Sequence, residues 1–489
     1  MYLGLDLGTS ELKALLLADD HRIVASTGAR LTLSRPQPLW AEQAPAQWAE
    51  ALETVMAQLR AQQGQALAQV RAIGLSGQMH GAVLLDAAGE VLRPAILWND
   101  GRSAAQCLQL MQAVPELAQI TGNLAMPGFS APKLLWVQAH EPELFARTAR
   151  VLLPKDWLRF TMSGGAVSEM SDAAGTLWLD VARRDWADEM LAATGLTRAH
   201  MPRLVEGSAV SAWLEPALAQ GWGVGTAHGQ PVAIAGGGGD NAASAVGMGI
   251  VRPGQGFVSL GTSGVIFIAG ARFEPRPAQA VHAFCHALPG RWHQMSVMLS
   301  AASAVSWAAR AFGFTDEAAL LAQAATLDAA SRQRAPLFLP YLSGERSPHN
   351  DPQAQGVLFG LTQSHASADI AYAVVEGVSL GLRDGLDTLA RPADALALVG
   401  GGARSSWWAQ LLADILAVPL TLGEGGEAGG ALGAARLAWL ADGGDEVTVC
   451  APPRVRRRFE PQREHAAAHR ARHARFGALY GALRGQFSV

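Results

Sequence analysis

The tetrapeptide Leu-Gly-Thr-Ser stands twice in this chain, at 7–10 and at 260–263, each time between two apolar runs. The first copy closes Tyr2-Leu-Gly-Leu-Asp-Leu-Gly-Thr-Ser10 and is followed by Leu12-Lys-Ala-Leu-Leu-Leu17. The second closes Gly256-Phe-Val-Ser-Leu-Gly-Thr-Ser263 and is followed by Gly264 and Val265-Ile-Phe-Ile-Ala269. Each reads as strand, tight polar turn, strand, which is a β-hairpin. A hairpin that returns after about half the chain implies duplication, and therefore two lobes of like topology. A length of 489 residues agrees, being too great for one compact core.

Between the hairpins, strand-like and helix-like segments alternate, as in an α/β fold. Trp48, Leu52, Val55, Met56 and Leu59 recur at helical spacing, with Pro45 where a helix can start. Arg71-Ala-Ile-Gly-Leu-Ser76 and Ala395-Leu-Ala-Leu-Val-Gly400 read as strands, and Trp407 to Leu416 as a helix. Gly423 to Gly433 reads as a loop opening a helix from Ala434 to Leu440, and Glu274 to Pro277 as a loop. The boundary falls near 245, dividing the chain into lobes 1–245 and 246–489.

A net charge of -4 offers no general attraction to nucleic acid or to anionic membranes, so neither is expected as a partner. Asp6 interrupts the apolar start and no basic segment precedes it, so no signal peptide is read there. Cys107, Cys285 and Cys450 form no CxxC pair, which suits a reducing cytoplasm.

Gly-Thr-Ser tips bring small residues, hydroxyls and backbone N–H groups close to an anion, so Thr9, Ser10, Thr262 and Ser263 are expected at phosphates. One copy is an ordinary turn; two copies at equivalent places in repeated hairpins point to function. Asp6 is an acid inside an otherwise apolar strand. As a turn residue it would bond its own backbone; as a site residue it would hold Mg²⁺ beside the phosphates. Ala233-Ile-Ala-Gly-Gly-Gly-Gly-Asp240-Asn241 runs a short strand into four glycines and an acid. Asp240 either caps the next helix or faces a cleft as a base that takes a proton from an attacking hydroxyl; the glycines, which clear room for a ligand, favour the second. Val399-Gly-Gly-Gly-Ala-Arg-Ser405 has neither GxGxxG spacing nor a P-loop, so ATP needs another scaffold. The combination resembles the actin-like ATPase (ribonuclease H-like) fold, two duplicated α/β lobes around a central cleft.

Further motifs resemble those of the FGGY carbohydrate kinases. Gly128-Phe-Ser-Ala-Pro-Lys133-Leu-Leu-Trp136 matches the first family signature. Gly356-Val-Leu-Phe-Gly360-Leu361, Asp369-Ile370 and Ala373-Val-Val-Glu376 match the second. Leu339 to His349 also looks like the family's, as a cleft-rim element. Gly77-Gln-Met-His80-Gly81 and Leu97-Trp-Asn-Asp-Gly-Arg102 resemble those members that act on D-xylulose, whereas glycerol kinases carry an Arg-Glu-containing segment where Met79-His80 stands.

The resemblance implies an ATP- and Mg²⁺-dependent kinase that forms D-xylulose 5-phosphate. In it Asp240 is the base and Asp6 the activity-critical acid and metal ligand. Met79, His80, Asp240 and Asn241 hold the sugar, while Gly401, Gly402 and Ser405 hold the adenosine. A homodimer is compatible with the same reading. Glu11 departs from the family's usual glycine, and would be strained if that turn needs a positive φ. Two other functions fit less of the sequence: a kinase of the same family for ribulose, fuculose or a polyol, and a non-catalytic actin-like sugar sensor. Trp98 and Trp307 are candidates to line the sugar or adenine sites. His282, His286 and His293 are expected to serve structure, and His465, His469 and His473 to share one face of a solvated terminal helix.

Overall fold

A computed structural model of the chain describes residues 1–390, 393–424 and 429–487. The first half supplies strands β1 (Tyr2–Leu7), β2 (Glu11–Leu17) and β3 (Ile23–Arg30), helix α1 (Pro45–Leu67) and strand β4 (Ala72–Gly77). Helices α2 (Ser130–His140), α3 (Pro154–Ser163) and α4 (Met170–Ala173) follow, then strands β5 (Val210–Trp213), β6 (Ala233–Ala235) and β7 (Gly238–Gly239) and helix α5 (Asp240–Gly247). The second half opens with strands β8 (Gly256–Leu260), β9 (Gly264–Gly270), β10 (His282–Cys285) and β11 (Trp292–Met298), then helices α6 (Ala302–Ala311), α7 (Glu317–Ala325) and α8 (Ser367–Asp387). Strand β12 (Leu396–Val399), helix α9 (Ser406–Leu416), strand β13 (Leu420–Gly423), helix α10 (Gly429–Ala441), strand β14 (Val455–Phe459) and helix α11 (Ala466–Leu483) complete it.

The duplication is written in the strand order. The first sheet runs β3-β2-β1-β4-β6-β5 and the second β11-β9-β8-β12-β13-β14, with β10 added beyond β11 and β7 paired to β4. In both, an antiparallel hairpin takes a third antiparallel strand on one side. Two parallel strands and an antiparallel edge lie on the other.

Alternation along β1 sorts its residues between two layers. Leu3, Leu5 and Leu7 join Trp48, Leu52, Val55, Met56 and Leu59 of α1 in one core. Tyr2, Gly4 and Asp6 face the other way, toward α10, a helix that belongs to the second half. Gly4 pairs with Gly74 of β4, and α10 lies directly on that pair. A Cβ on Gly4 would come within 2.0 Å of the Ala431 carbonyl oxygen, and one on Gly74 within 1.9 Å of that of Ala434. The helix begins at Gly429, ahead of the expected start at Ala434, and its own glycines are contact points too: a Cβ on Gly433 would come within 1.7 Å of the Ala243 carbonyl oxygen. Residues 425–428 of the expected loop lie outside the described residues. In return α5 leans on the second sheet, where its Ala245 is buried with Phe257 and Phe267.

Two other expectations change. Glu11 sits in ordinary extended backbone as the first residue of β2, opposite Arg30, so the turn needs no positive φ there. Helix α11 is not a solvated appendage: Arg472, Phe476, Leu479 and Tyr480 form a buried stripe along it. Arg472 makes a bidentate ion pair with the buried Glu376 of α8, and His473 Nε2 lies 2.6 Å from Asp384. The three cysteines are buried and unpaired.

Candidate active site

Asp240 is the first residue of α5, delivered by the glycine bend 236–239. Gly237 has φ +82°, and a Cβ there would collide with the Leu75 carbonyl of β4 at 2.1 Å. Protein atoms, backbone at Gly236 and Gly237 and the Met79 side chain at Gly239, therefore fill the room that these glycines clear. The Asp240 carboxylate accepts hydrogen bonds from the Asn241 backbone N–H (2.7 Å) and from Asn241 Nδ2 (2.9 Å), so Asn241 orients the acid. Burial, and after it the negative charge of Asp6, push Asp240 up to about 6.

Asp6 is the next-to-last residue of β1, its Oδ1 buried without a hydrogen-bond partner, and burial raises its pKa as well. A Cβ on Gly430, in the first turn of α10, would meet that carboxylate at 2.6–2.7 Å. The orphaned Asp6 oxygen is a hard-oxygen donor, and it fits Mg²⁺ whose other ligands are phosphate oxygens and water.

Met79 and His80 lie beside the bend. A Cβ on Gly239 would touch Met79 Cγ at 2.9 Å. His80 has φ +70°, a left-handed conformation costly for a residue with a side chain, and several contacts hold it there. Its carbonyl accepts from Ser130 Oγ (3.0 Å) and Lys133 Nζ (2.8 Å), and its ring meets Phe129 edge-on at 4.6 Å. The first signature segment is thus the mount of His80, a role its sequence does not announce. His80 Nδ1 donates to the Gly175 carbonyl (2.6 Å), which leaves Nε2 as an acceptor. Burial pushes the imidazole down to about 3, so it is neutral at physiological pH.

The first tip is tied to this segment. Thr9 Oγ1 donates to Gln78 Oε1 (3.0 Å) and accepts from Trp98 Nε1 (3.0 Å), while Gln43 Nε2 donates to the Thr9 carbonyl (2.7 Å). The Thr9 hydroxyl proton is therefore committed to Gln78, and the exposed Ser10 is the free hydroxyl of that tip among the described residues. Trp98, half-exposed, is thereby bonded to the first tip.

At the second tip, Gly261 and Thr262 line a cleft of about 830 Å³ together with Gly401, Gly402, Arg404, Ser405, Trp407 and Trp408. Ser263 occupies the turn beside Thr262. Ser405 Oγ also accepts from the Trp408 N–H (3.2 Å), capping α9. Trp307 does not line this cleft: its ring stacks on Phe338 at 5.9 Å, and Trp407 and Trp408 stand where it was expected.

The rim segment supplies a residue that sequence reasoning left unassigned. Arg346 Nη1 donates to His282 Nε2 (3.2 Å), and His282 Nδ1 bonds Asn123 Oδ1 (2.9 Å). His282 also meets Phe129 edge-on at 5.6 Å, so an aromatic contact joins the second half to the mount of His80. His282, His286 and His293 are all buried, and burial lowers each of them.

Residues 1–247 match the N-terminal domain of the FGGY family of carbohydrate kinases, and residues 256–441 match its C-terminal domain. The chain is 55% identical over 445 residues to a xylulose kinase of Klebsiella pneumoniae, and 54% identical over 446 residues to one of Escherichia coli strain K12. Each alignment covers 90% of both chains. A crystal structure described as a xyloylose kinase from Brucella ovis superposes with a TM-score of 0.95 at 48% identity, covering 99% of each chain. These neighbours share the actin-like arrangement of two α/β lobes.

Proposed function

The chain belongs to the FGGY family of carbohydrate kinases, and from that premise we propose that it transfers the γ-phosphoryl group of ATP to O5 of D-xylulose, with Asp240 as the general base. The observation that carries the proposal is a carboxylate, raised to about 6, at the head of α5 and packed through Gly239 against Met79 and its neighbour His80. High identity with xylulose kinases, across nine-tenths of both chains, supports the same acceptor.

In this reading the adenosine lies in the cleft at Gly401, Gly402 and Ser405, and the phosphates run past Thr262 and Ser263 toward Ser10, Thr9 and Asp6. Asp6 would hold Mg²⁺, which supplies charge neutralisation at the phosphates when bound. The sugar sits against Met79, His80, Asp240 and Asn241, with neutral His80 Nε2 accepting from one hydroxyl. Asp240 accepts the O5 proton as the O5–Pγ bond forms. The bond from Pγ to the β–γ bridging oxygen breaks, and ADP leaves with that electron pair. Catalysis of this kind is mainly positioning and electrostatics. Neither nucleic acid nor a membrane enters the scheme, and a cytoplasmic location fits it. Among the described residues no helix is long and apolar enough to cross a membrane.

The direct test is ADP release by the purified protein across ketoses and polyols. Release stimulated by D-xylulose above all others supports the proposal; stimulation by ribulose, fuculose or a polyol instead reassigns the acceptor; none with any sugar points to a sensor. Two further results are expected. Because the base must be ionised, kcat/KM should fall as pH drops through about 6, and a profile flat down to pH 4.5 would remove Asp240 from the role. His80→Ala should raise the KM for the sugar with little change in that for ATP; the reverse pattern would place His80 on the nucleotide side.

A further inference from the structure

Behind the glycine bend lies a group of charged side chains that the phosphoryl-transfer scheme does not use. Lys155, Asp156 and Arg159 of α3, Glu169, and Ser171 and Asp172 of α4 are all 0% exposed. Lys155 Nζ lies 2.7 Å from Asp156, 3.0 Å from Asp172 and 3.5 Å from Glu169, and Arg159 Nη1 lies 3.0 Å from Asp156. Burying so many ionisable groups is costly and is weak support for stability in itself. What distinguishes this cluster is where its remaining hydrogen bonds go.

Arg159 Nη1 donates to the Val167 carbonyl (2.5 Å), and Arg159 Nη2 to the carbonyl of Gly236, at the start of the bend. At its end, the Gly239 N–H donates to Ser171 Oγ (3.0 Å). The Ser171 hydroxyl in turn donates to Glu169 (2.9 Å), whose carboxylate also takes the N–H groups of Ser171 (2.7 Å) and Asp172 (2.8 Å). The bend is thereby fastened at both ends, and Asp240 follows directly from the second fastening. The same helix α4 leads through Ala174 to Gly175, whose carbonyl holds His80.

We infer that Arg159 and Ser171 are positioning residues for the base: they clamp the two ends of the 236–239 bend and so set Asp240 against the sugar segment. The inference rests on the kinase reading above and deepens it. A bend released at Ser171 lets Asp240 swing and take up water. That lowers the fraction of encounters with O5 in line.

The experiment compares wild type with Ser171→Ala, which deletes the acceptor without changing charge, and Arg159→Lys, which keeps the charge but cannot reach Asp156, Val167 and Gly236 together. In each variant kcat is expected to fall about 10–100-fold with the KM for ATP unchanged. The KM for D-xylulose should stay within a few-fold of wild type, so that the loss falls on kcat. A lower melting temperature with kcat unchanged overturns the inference, and so does wild-type behaviour in both variants. Should Ser171→Ala not accumulate as folded protein, Arg159→Lys decides by the same readouts. Failure of the kinase reading looks different, since wild type itself would then show no sugar-stimulated ADP release.

Discussion

Asp240→Asn is expected to lower kcat by about 10²–10⁴-fold, the usual worth of a general base. The substitution is nearly isosteric, and its amide oxygen can still accept from the Asn241 N–H, so the head of α5 keeps its conformation. It also removes one of two repelling charges, because Asp6 is among the causes that raise Asp240. Thermal stability should therefore hold or rise slightly while turnover collapses, with both KM values within a few-fold of wild type. The acid limb near pH 6 should vanish from the residual activity. Stopped kinetics in a fully folded variant is a signature that general destabilisation cannot mimic. Turnover near the wild-type rate would exclude proton abstraction by Asp240.

The second large effect is on stability and lies far from the sugar. Arg472 of α11 spends its guanidinium on Glu376 and on the carbonyls of Gln333, Ala335 and Pro336, and Glu376 is 1% exposed. Arg472→Ala leaves the Glu376 carboxylate with only the Tyr372 hydroxyl (3.2 Å) as donor, and three carbonyls without theirs, in the interior of the second half. Removing one partner of a buried pair typically costs about 3–5 kcal/mol. The variant should melt well below wild type yet turn over normally at temperatures where it is folded. Replacing both partners, as Glu376→Leu with Arg472→Met, should recover only the part due to the unpaired charge, since three carbonyls and the Tyr372 hydroxyl still lack partners. A cost under about 1 kcal/mol for Arg472→Ala would mean that water reaches Glu376 when the arginine is gone. The glutamate of the second signature motif is on this view an anchor for the terminal helix, not a group that touches substrate.

How much of this was legible beforehand depends on the range of the interaction involved. Both hairpins and α9 follow from local periodicity and lie within a residue or two of the expected bounds, and α1 starts at the expected Pro45 but runs on past the periodic stretch to Leu67. The early start of α10 was hidden because glycine lowers intrinsic helix propensity, and only the Gly4–Gly74 row, contributed by the other half, explains why it is tolerated there. The terminal helix was misjudged for a related reason. A stripe of histidines and arginines looks solvated until Glu376 is known to lie against Arg472. Asp6 and Asp240 stood out as acids among apolar or glycine residues. Arg346, Gln78 and the clamp at Ser171 gave no such contrast, since their roles come from contacts between segments distant in the chain. Trp307 was placed by position alone, and a neighbouring helix supplied the tryptophans that line the cleft.

The exchange of helices between halves has a consequence for synthesis. When the first sheet leaves the ribosome its leucine face can close over α1 at once, but the face carrying Tyr2, Gly4 and Asp6 must wait for α10, made only after β8 to β13 of the second sheet. A nascent chain therefore carries an uncovered apolar surface through that interval, the condition under which chaperone capture or aggregation competes with folding. Expressing the first half alone should yield a sticky fragment, and supplying the second half in trans should rescue it.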